Sequence, residues 1–350
     1  MVRRVVFAAP GDLTTPTGGY AYDRRIIAGL RALRWRTEVL DLGDGFPFPS
    51  ADTRAAARAR LAALPTGRPI VIDGLAFGAL PDVAMQLSAS HRVIALVHHP
   101  LAEESGLSPA DAEALRASER QALACARGVI VTSPFTGRLI VSDYGVPVDR
   151  VKIVRPGNDR AAQARADAEA PITMLAIGAA TPRKGYDVLM AASALLLDLP
   201  WRLVIVGDLG RDAGATARLN ADIARFNLGD RVLLTGAVSA ERLEAHYASA
   251  DLFVLASRFE GYGMAFAEAI AHGLPVVGTT AGAIPETVPA SAGLLAPPND
   301  VGAFSVALRR LIEDSAERRR LAASARAAAA ALPTWERSAE LFSQAIEAVA

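Results

Sequence analysis

The sequence predicts an α/β protein made of two Rossmann-like parallel-sheet domains, and three observations lead there. The chain has 350 residues with 51% hydrophobic content, enough for two cores of ordinary size. Its first half alternates short β-branched runs with Ala-, Leu- and Arg-rich helical stretches. After a break, a second alternating series begins. Such alternation gives strands that lie parallel, with helices covering both faces of the sheet.

Taken in order, strands are expected near 5–8, 70–72, 93–97, 129–131 and 151–154. Residues 155–170 interrupt the pattern with Pro156, Gly157 and a polar, alanine-rich stretch, so the domain boundary is placed there. The expected division is 1–160 and 161–333. The second series places strands near 174–177, 203–206, 232–234, 252–255 and 276–277, each followed by a helical segment or turn. After Val301 the chain reads as almost entirely helical. Two such domains would face each other across a cleft at their strand ends, where open parallel sheets hold ligands.

Composition removes several function classes. Net charge is zero and the isoelectric point is about 7.0, so no global field seeks a polyanion and nucleic acid is not the expected partner. Cys125 is the single cysteine, which excludes an intramolecular disulfide and a cysteine-based zinc cluster. It reads as a packing residue. The apolar run before Asp12 is too brief for a secretory signal or a membrane span, so the expected location is cytoplasmic. No Gly-x-x-x-x-Gly-Lys-Ser/Thr run is present, and the G-x-G at Gly261 and Gly263 has Phe266 in place of a third glycine. Those two facts disfavour a P-loop nucleotidase and a hydride-transfer enzyme.

The most informative stretch runs from Leu252 to Thr287. A strand is expected to end in a turn carrying Glu260, Gly261, Tyr262 and Gly263, and a helix to begin at Met264 and stop near His272 and Gly273. Glycines in the turn let the backbone approach a ligand, and the free N–H groups of the helix start favour a diphosphate. Glu268 lies about one turn into the helix, and its side chain leans back toward the same ligand. A carboxylate beside phosphate would repel it, so Glu268 is better suited to accept hydrogen bonds from hydroxyls, as an acidic residue does with a ribose. Glu260 would then face a sugar.

Glu260 and Glu268 together resemble the E-x7-E signature of the retaining glycosyltransferases of family four, which have the two-lobed GT-B fold. The resemblance extends to the G-L-P-V-V stretch at 273–277, the A-G-A-I-P-E stretch at 281–286 and T-P-R-K-G at 181–185. It implies transfer of a hexosyl group from a UDP-, GDP- or ADP-sugar to a glycan, lipid-linked or small-molecule acceptor, with retention of anomeric configuration. The first domain would serve the acceptor and the second the donor, with a final helix at about 334–350 crossing back onto the first. Trp335 is a candidate anchor for that crossing.

Departure of a nucleotide diphosphate requires positive charge at the leaving oxygen. The sequence has no Asp-x-Asp triplet, so that charge is expected from Arg183, Lys184 and the helix start rather than from a metal, and no cofactor is expected. Family members commonly carry Arg directly after the strand glycine. Here the residue following Gly178 is Ala179, and Arg183 is the candidate replacement. By resemblance, Gly18 and Gly19 form the glycine loop of the first domain, and His98, at a strand end, lies near the reacting sugar. His99 is a further candidate for the acceptor side, and Ser133 and Asn158, at strand ends, are candidate polar liners of the substrate site. Gly207, Gly236 and Val238 stand where similar proteins hold the nucleotide base.

Residues 23–36 carry five arginines and one aspartate around Ile26, Ile27, Leu30 and Leu33, with Trp35 near the end. Such a segment would suit either peripheral contact with an anionic bilayer or ordinary packing of its apolar stripe. Two other readings of the whole chain remain open here: a catalytically silent sugar-nucleotide-binding protein and a GT-B sugar-nucleotide epimerase.

Overall fold

The computed structural model describes residues 3–159 and 171–349. Within these the chain divides into two compact units, one of residues 3–157 and 333–349, the other of residues 158–159 and 171–332. The expected boundary between 160 and 161 lies outside the described residues.

The first unit is built on a parallel sheet of β1 (Arg4–Ala9), β2 (Arg36–Asp41), β3 (Pro69–Asp73), β4 (Arg92–Val97), β5 (Gly128–Val131) and β6 (Val151–Ile153), in the order β2-β1-β3-β4-β5-β6. The central strands are continuous apolar runs because helices cover both of their faces. Val6 pairs with Ile70, and Ile70 with Val93, and all three are buried. The last helix, Trp335–Val349, belongs to this unit and packs on the helix Gly18–Ala32. Their approach is close: a Cβ on Gly29 would overlap that of Ala339.

That packing decides the fate of 23–36. The segment is not one amphipathic helix. The helix stops at Ala32, Arg34 takes a left-handed conformation (φ 64°), and Arg36 already opens β2. Ile26, Ile27 and Leu30 are buried, and the Trp35 indole N–H donates to Ser343 Oγ at 3.0 Å. The apolar stripe that a bilayer would need is therefore occupied within the core. Among the described residues no helix is long and apolar enough to cross a membrane.

The second unit repeats the design with β7 (Ile172–Ile177), β8 (Trp201–Val206), β9 (Val232–Gly236), β10 (Leu252–Val254), β11 (Val276–Thr279) and β12 (Gly293–Ala296), in the order β12-β11-β10-β7-β8-β9, all parallel. In both sheets the chain starts near the middle and winds first to one side, then to the other. The reversal falls between β1 and β3 in the first sheet and between β7 and β10 in the second. Side chains at the carboxyl ends of those strand pairs are where a doubly wound sheet presents its ligand site.

Two strands, β2 and β12, are missing from the sequence reading. Both are edge strands. RTEVLD in β2 is largely exposed and reads as a polar continuation of the preceding helix, and GLLA in β12 is four residues long. Cys125 caps the helix Pro109–Ala124 and packs against the core of the first unit.

Candidate active site

In the second unit, the loop after β7 turns through a short helical segment, Pro182–Lys184, and ends at Gly185. Gly185 has φ 64°, and a Cβ there would overlap the Ala256 carbonyl oxygen, so the loop is seated directly on the backbone that follows β10. Arg258 fastens it from outside. Its backbone N–H donates to Arg183 O at 2.8 Å, and its guanidinium donates to Pro182 O at 2.6 Å, to Asn299 Oδ1 at 2.7 Å and to both carboxylate oxygens of Asp187.

This brace aims two cations inward. Lys184 Nζ lies 2.7 Å from Glu260 Oε1, and Arg183 Nη1 lies 3.2 Å from Glu260 Oε2 and 3.0 Å from Phe259 O. Ser257 Oγ also donates to Glu260 Oε1, at 2.8 Å. Glu260 is buried, which by itself would raise its pKa, but Lys184 and Arg183 overcome this and hold the carboxyl down to about 2. From the other side Gly282, at φ 58°, brings its backbone so close that a Cβ would overlap Glu260 O, and Ala283 N–H donates to that oxygen at 2.8 Å. The site thus joins Arg183, Lys184 and Glu260, with two positive groups on one negative.

The glycine turn lies just beyond. Gly261 and Tyr262 are buried, and Thr287 Oγ1 donates to Tyr262 O at 2.5 Å. Gly263, at φ 87°, precedes the helix Met264–Ala271 and supplies no side-chain cap. At the neighbouring strand ends Gly207 N–H donates to Gly236 O at 3.1 Å, and a Cβ on Gly207 would overlap Gly178 O. Gly178, Gly207 and Gly236 therefore sit side by side at the carboxyl edge of β7, β8 and β9. Val238 is half-buried against the core.

Glu268 stands apart from this cluster in its partners. Its Oε2 accepts from the buried Tyr247 hydroxyl at 2.7 Å, and Tyr247 stacks on His272 with ring centroids 4.3 Å apart. Burial raises the pKa of Glu268, against the lowering effect of the Tyr247 hydrogen bond. Tyr247 is absent from the sequence-derived site because no motif marks it on the helix Ala240–Ser249.

The first unit assembles a second cluster around His98. Gly18 and Gly19 open the helix Gly18–Ala32 behind the Thr17 cap, and a Cβ on Gly19 would lie 3.2 Å from His98 Cδ2. His98 Nε2 is 3.0 Å from Asp23 Oδ1 and 3.4 Å from Asp73 Oδ2, and both aspartates are buried. The Tyr22 ring meets the imidazole edge-on, with centroids 5.3 Å apart. Burial would lower the His98 pKa, but Asp23 and then Asp73 raise it to about 10. Burial and the neighbouring Asp73 push Asp23 up to about 7, against the lowering effect of His98.

Asp23 and Asp73 do not figure in the sequence-derived site, although both leave a trace. Asp23 occupies the apolar stripe it shares with Ile26, Ile27 and Leu30, and Asp73 ends a buried strand. Of the other candidates, His99 Nε2 lies 3.4 Å from Glu104 Oε2. Ser133 is buried, and its hydroxyl is engaged by Thr136 in capping the helix Pro134–Tyr144. Asn158 is half-buried, with its side-chain nitrogen unpaired among the described residues.

Residues 158–328 match the family model described as glycosyl transferases group 1. The match spans most of the second unit. A D-inositol 3-phosphate glycosyltransferase from Kineococcus radiotolerans is 29% identical to this chain over 303 residues, covering 75% of this chain and 68% of the relative. The chain shares the fold of sucrose-phosphate synthase from Thermosynechococcus elongatus, with a TM-score of 0.82, 23% identity and 99% of each chain covered. A second structural match is Anabaena HepE, solved in complex with UDP and glucose, with a TM-score of 0.79, 19% identity, and 99% of this chain and 100% of that one covered. The fold class is GT-B, with two Rossmann-like domains.

Proposed function

We propose that the chain is a retaining transferase that takes a hexosyl group from a nucleotide diphosphate sugar and passes it to a hydroxyl acceptor. The observation that carries this reading is the convergence of Arg183 and Lys184 on Glu260 at the switch point between β7 and β10. An arginine and a lysine held together beside the glycine turn suit a departing diphosphate. The open start of the helix at Met264 supports the same anion through unpaired backbone N–H groups. Glu260 and His98 orient the sugar, and Glu268 accepts from a donor hydroxyl. Gly207, Gly236 and Val238 hold the base, and UDP is the first choice because HepE was solved with UDP and glucose.

The neutralising groups are side chains and backbone, so we expect transfer without a divalent ion. A thermal-shift screen against UDP-, GDP- and ADP-sugars names the donor, since a ligand bound only by the folded protein raises its melting temperature. Release of nucleoside diphosphate that depends on acceptor then establishes transfer. Donor binding without turnover would favour a silent binding protein, a reading that Ala179 keeps in play, and interconverted donor would favour an epimerase. The acceptor is a glycan, a lipid-linked sugar or a small polyol, and the protein is expected in the cytoplasm.

A further inference from the structure

The His98 cluster has an asymmetry that the transferase reading alone does not explain. Both aspartates approach the same ring atom, Nε2, at 3.0 and 3.4 Å. Asp73 is also tied to the backbone, where its Oδ1 accepts from Leu75 N–H at 2.8 Å and so fixes the carboxylate at the end of β3. Asp23 is fully buried on the helix that follows β1, and its Oδ2 has no donor among the described residues. One oxygen of each carboxylate and Nε2 lie within 4.8 Å of one another. Two adjacent buried carboxylates need at least one proton, and the imidazole is the group placed to supply it. The ring is wedged between Gly19 and the edge of Tyr22, so it cannot swing away. Its side chain is still 19% exposed, and Nδ1 has no partner among the described residues.

We infer that Asp23 and Asp73 are positioning residues that grip His98 through Nε2–H, so that Nδ1–H is the ring atom presented to substrate, as a hydrogen-bond donor. This rests on the transferase reading for its purpose, but not for its geometry. A ring held in this way does not remove the acceptor's proton. It donates to an oxygen of the sugar or of the leaving group, and the paired carboxylates keep it charged while it does so. The titratable groups that face it are Asp23, Asp73 and the Tyr22 phenol.

The test is nitrogen NMR on the full chain labelled at histidine, with His98→Gln assigning the signal. The expected result at pH 7.5 is a ring protonated on both nitrogens, which in Asp23→Asn reverts to a ring titrating near the ordinary histidine value of about 6.5. A neutral wild-type ring, or one unmoved by both Asp23→Asn and Asp73→Asn, overturns the inference and leaves the transferase reading standing. Failure of transfer with the expected ring state counts against the transferase reading instead. In steady state, Asp23→Asn should lower kcat about 10²-fold with donor KM nearly unchanged, and should move the alkaline limb of the kcat profile down in pH. Wild-type kcat and an unmoved limb in a folded Asp23→Asn protein would also overturn it. If Asp23→Asn does not fold, Asp73→Asn, which keeps an oxygen to accept from Leu75 N–H, carries the same measurements.

Discussion

The two clusters are electrostatic opposites. In the second unit one carboxylate, Glu260, sits between two cations, Arg183 and Lys184, and in the first unit one imidazole, His98, sits between two carboxylates, Asp23 and Asp73. The second-unit cluster lies at the carboxyl ends of β7 and β10, which flank the reversal in their sheet, and the first-unit cluster gathers the ends of β3 and β4 with the helix that follows β1. The same architecture therefore gathers two cations about a carboxylate in one unit and two carboxylates about an imidazole in the other. Glycosyl transfer calls for hydrogen-bond donors and cations where the leaving group develops negative charge.

The sharpest way to break the comparison is to remove one of the two cations. Lys184→Ala should lower turnover by about 10²- to 10³-fold, the usual cost of deleting one preorganised partner of a developing charge. Glu260 would keep Arg183 and Ser257, so the stability cost should be smaller, about 2 kcal/mol. Initial rates of nucleoside diphosphate release, read beside a thermal melt, separate the two effects. Turnover at the wild-type rate would show that Lys184 serves Glu260 alone.

The clusters should also fail at opposite ends of the pH scale. Glu260 is depressed from 4.5 to about 2, so its contribution is present above pH 4.5 and is lost as pH falls toward 2. It amounts to roughly 3 kcal/mol by linkage. His98 is raised from 6.5 to about 10, so its contribution is present below pH 6.5 and is lost as pH rises through 10. Urea unfolding of Glu260→Gln should lose the acid slope and keep the alkaline one, and His98→Gln should do the reverse. Identical slopes in both variants would mean that neither cluster governs stability.

Much of this was legible in the sequence, and the exceptions have physical causes. Continuous apolar runs announced ten strands because a parallel sheet buried on both faces writes its pattern locally. β2 lacks such a run because it is largely exposed, and β12 offers only the four residues GLLA. The T-P-R-K-G stretch and Glu260 read as a site because they resemble the motifs of a glycosyltransferase family and lie beside glycines that let a backbone approach a ligand. Asp23 and Asp73 did not, for their role depends on which strands become neighbours, and that is a property of topology. The cap made by Ser133 was not read from the sequence either, although a hydroxyl at a strand end also stands just before the next helix.

Arg258 offers a test of how far the positive cluster depends on its scaffold. Its guanidinium touches neither Arg183 nor Glu260 side chains, yet it ties Pro182, Asp187 and Asn299 into one loop assembly. Arg258→Ala should raise donor KM by about tenfold through loosened placement of Arg183 and Lys184, and should lower stability by about 1 to 2 kcal/mol. Unchanged KM would assign the geometry to Gly185 and its seat on Ala256 alone.

The smallest expected effect compares two buried glutamates. Glu119 accepts from Leu101 N–H at 2.9 Å, three residues beyond His98, as Glu260 accepts from its own partners. Glu260 has two cations beside it and falls to about 2, whereas burial drives Glu119 up to about 8, the Leu101 and Tyr144 hydrogen bonds only partly opposing it. Because the folded value lies above the unfolded 4.5, the stability that Glu119 lends is complete below pH 4.5 and declines as pH rises to 8. Glu119→Gln keeps a carbonyl oxygen for Leu101 and has no proton to lose. It should match the wild type near pH 4 and exceed it in melting temperature at pH 8 and above, with transfer activity unchanged. A variant less stable than the wild type at pH 8 would mean that Glu119 is ionised and paired in the folded protein, and the contrast with Glu260 would then vanish.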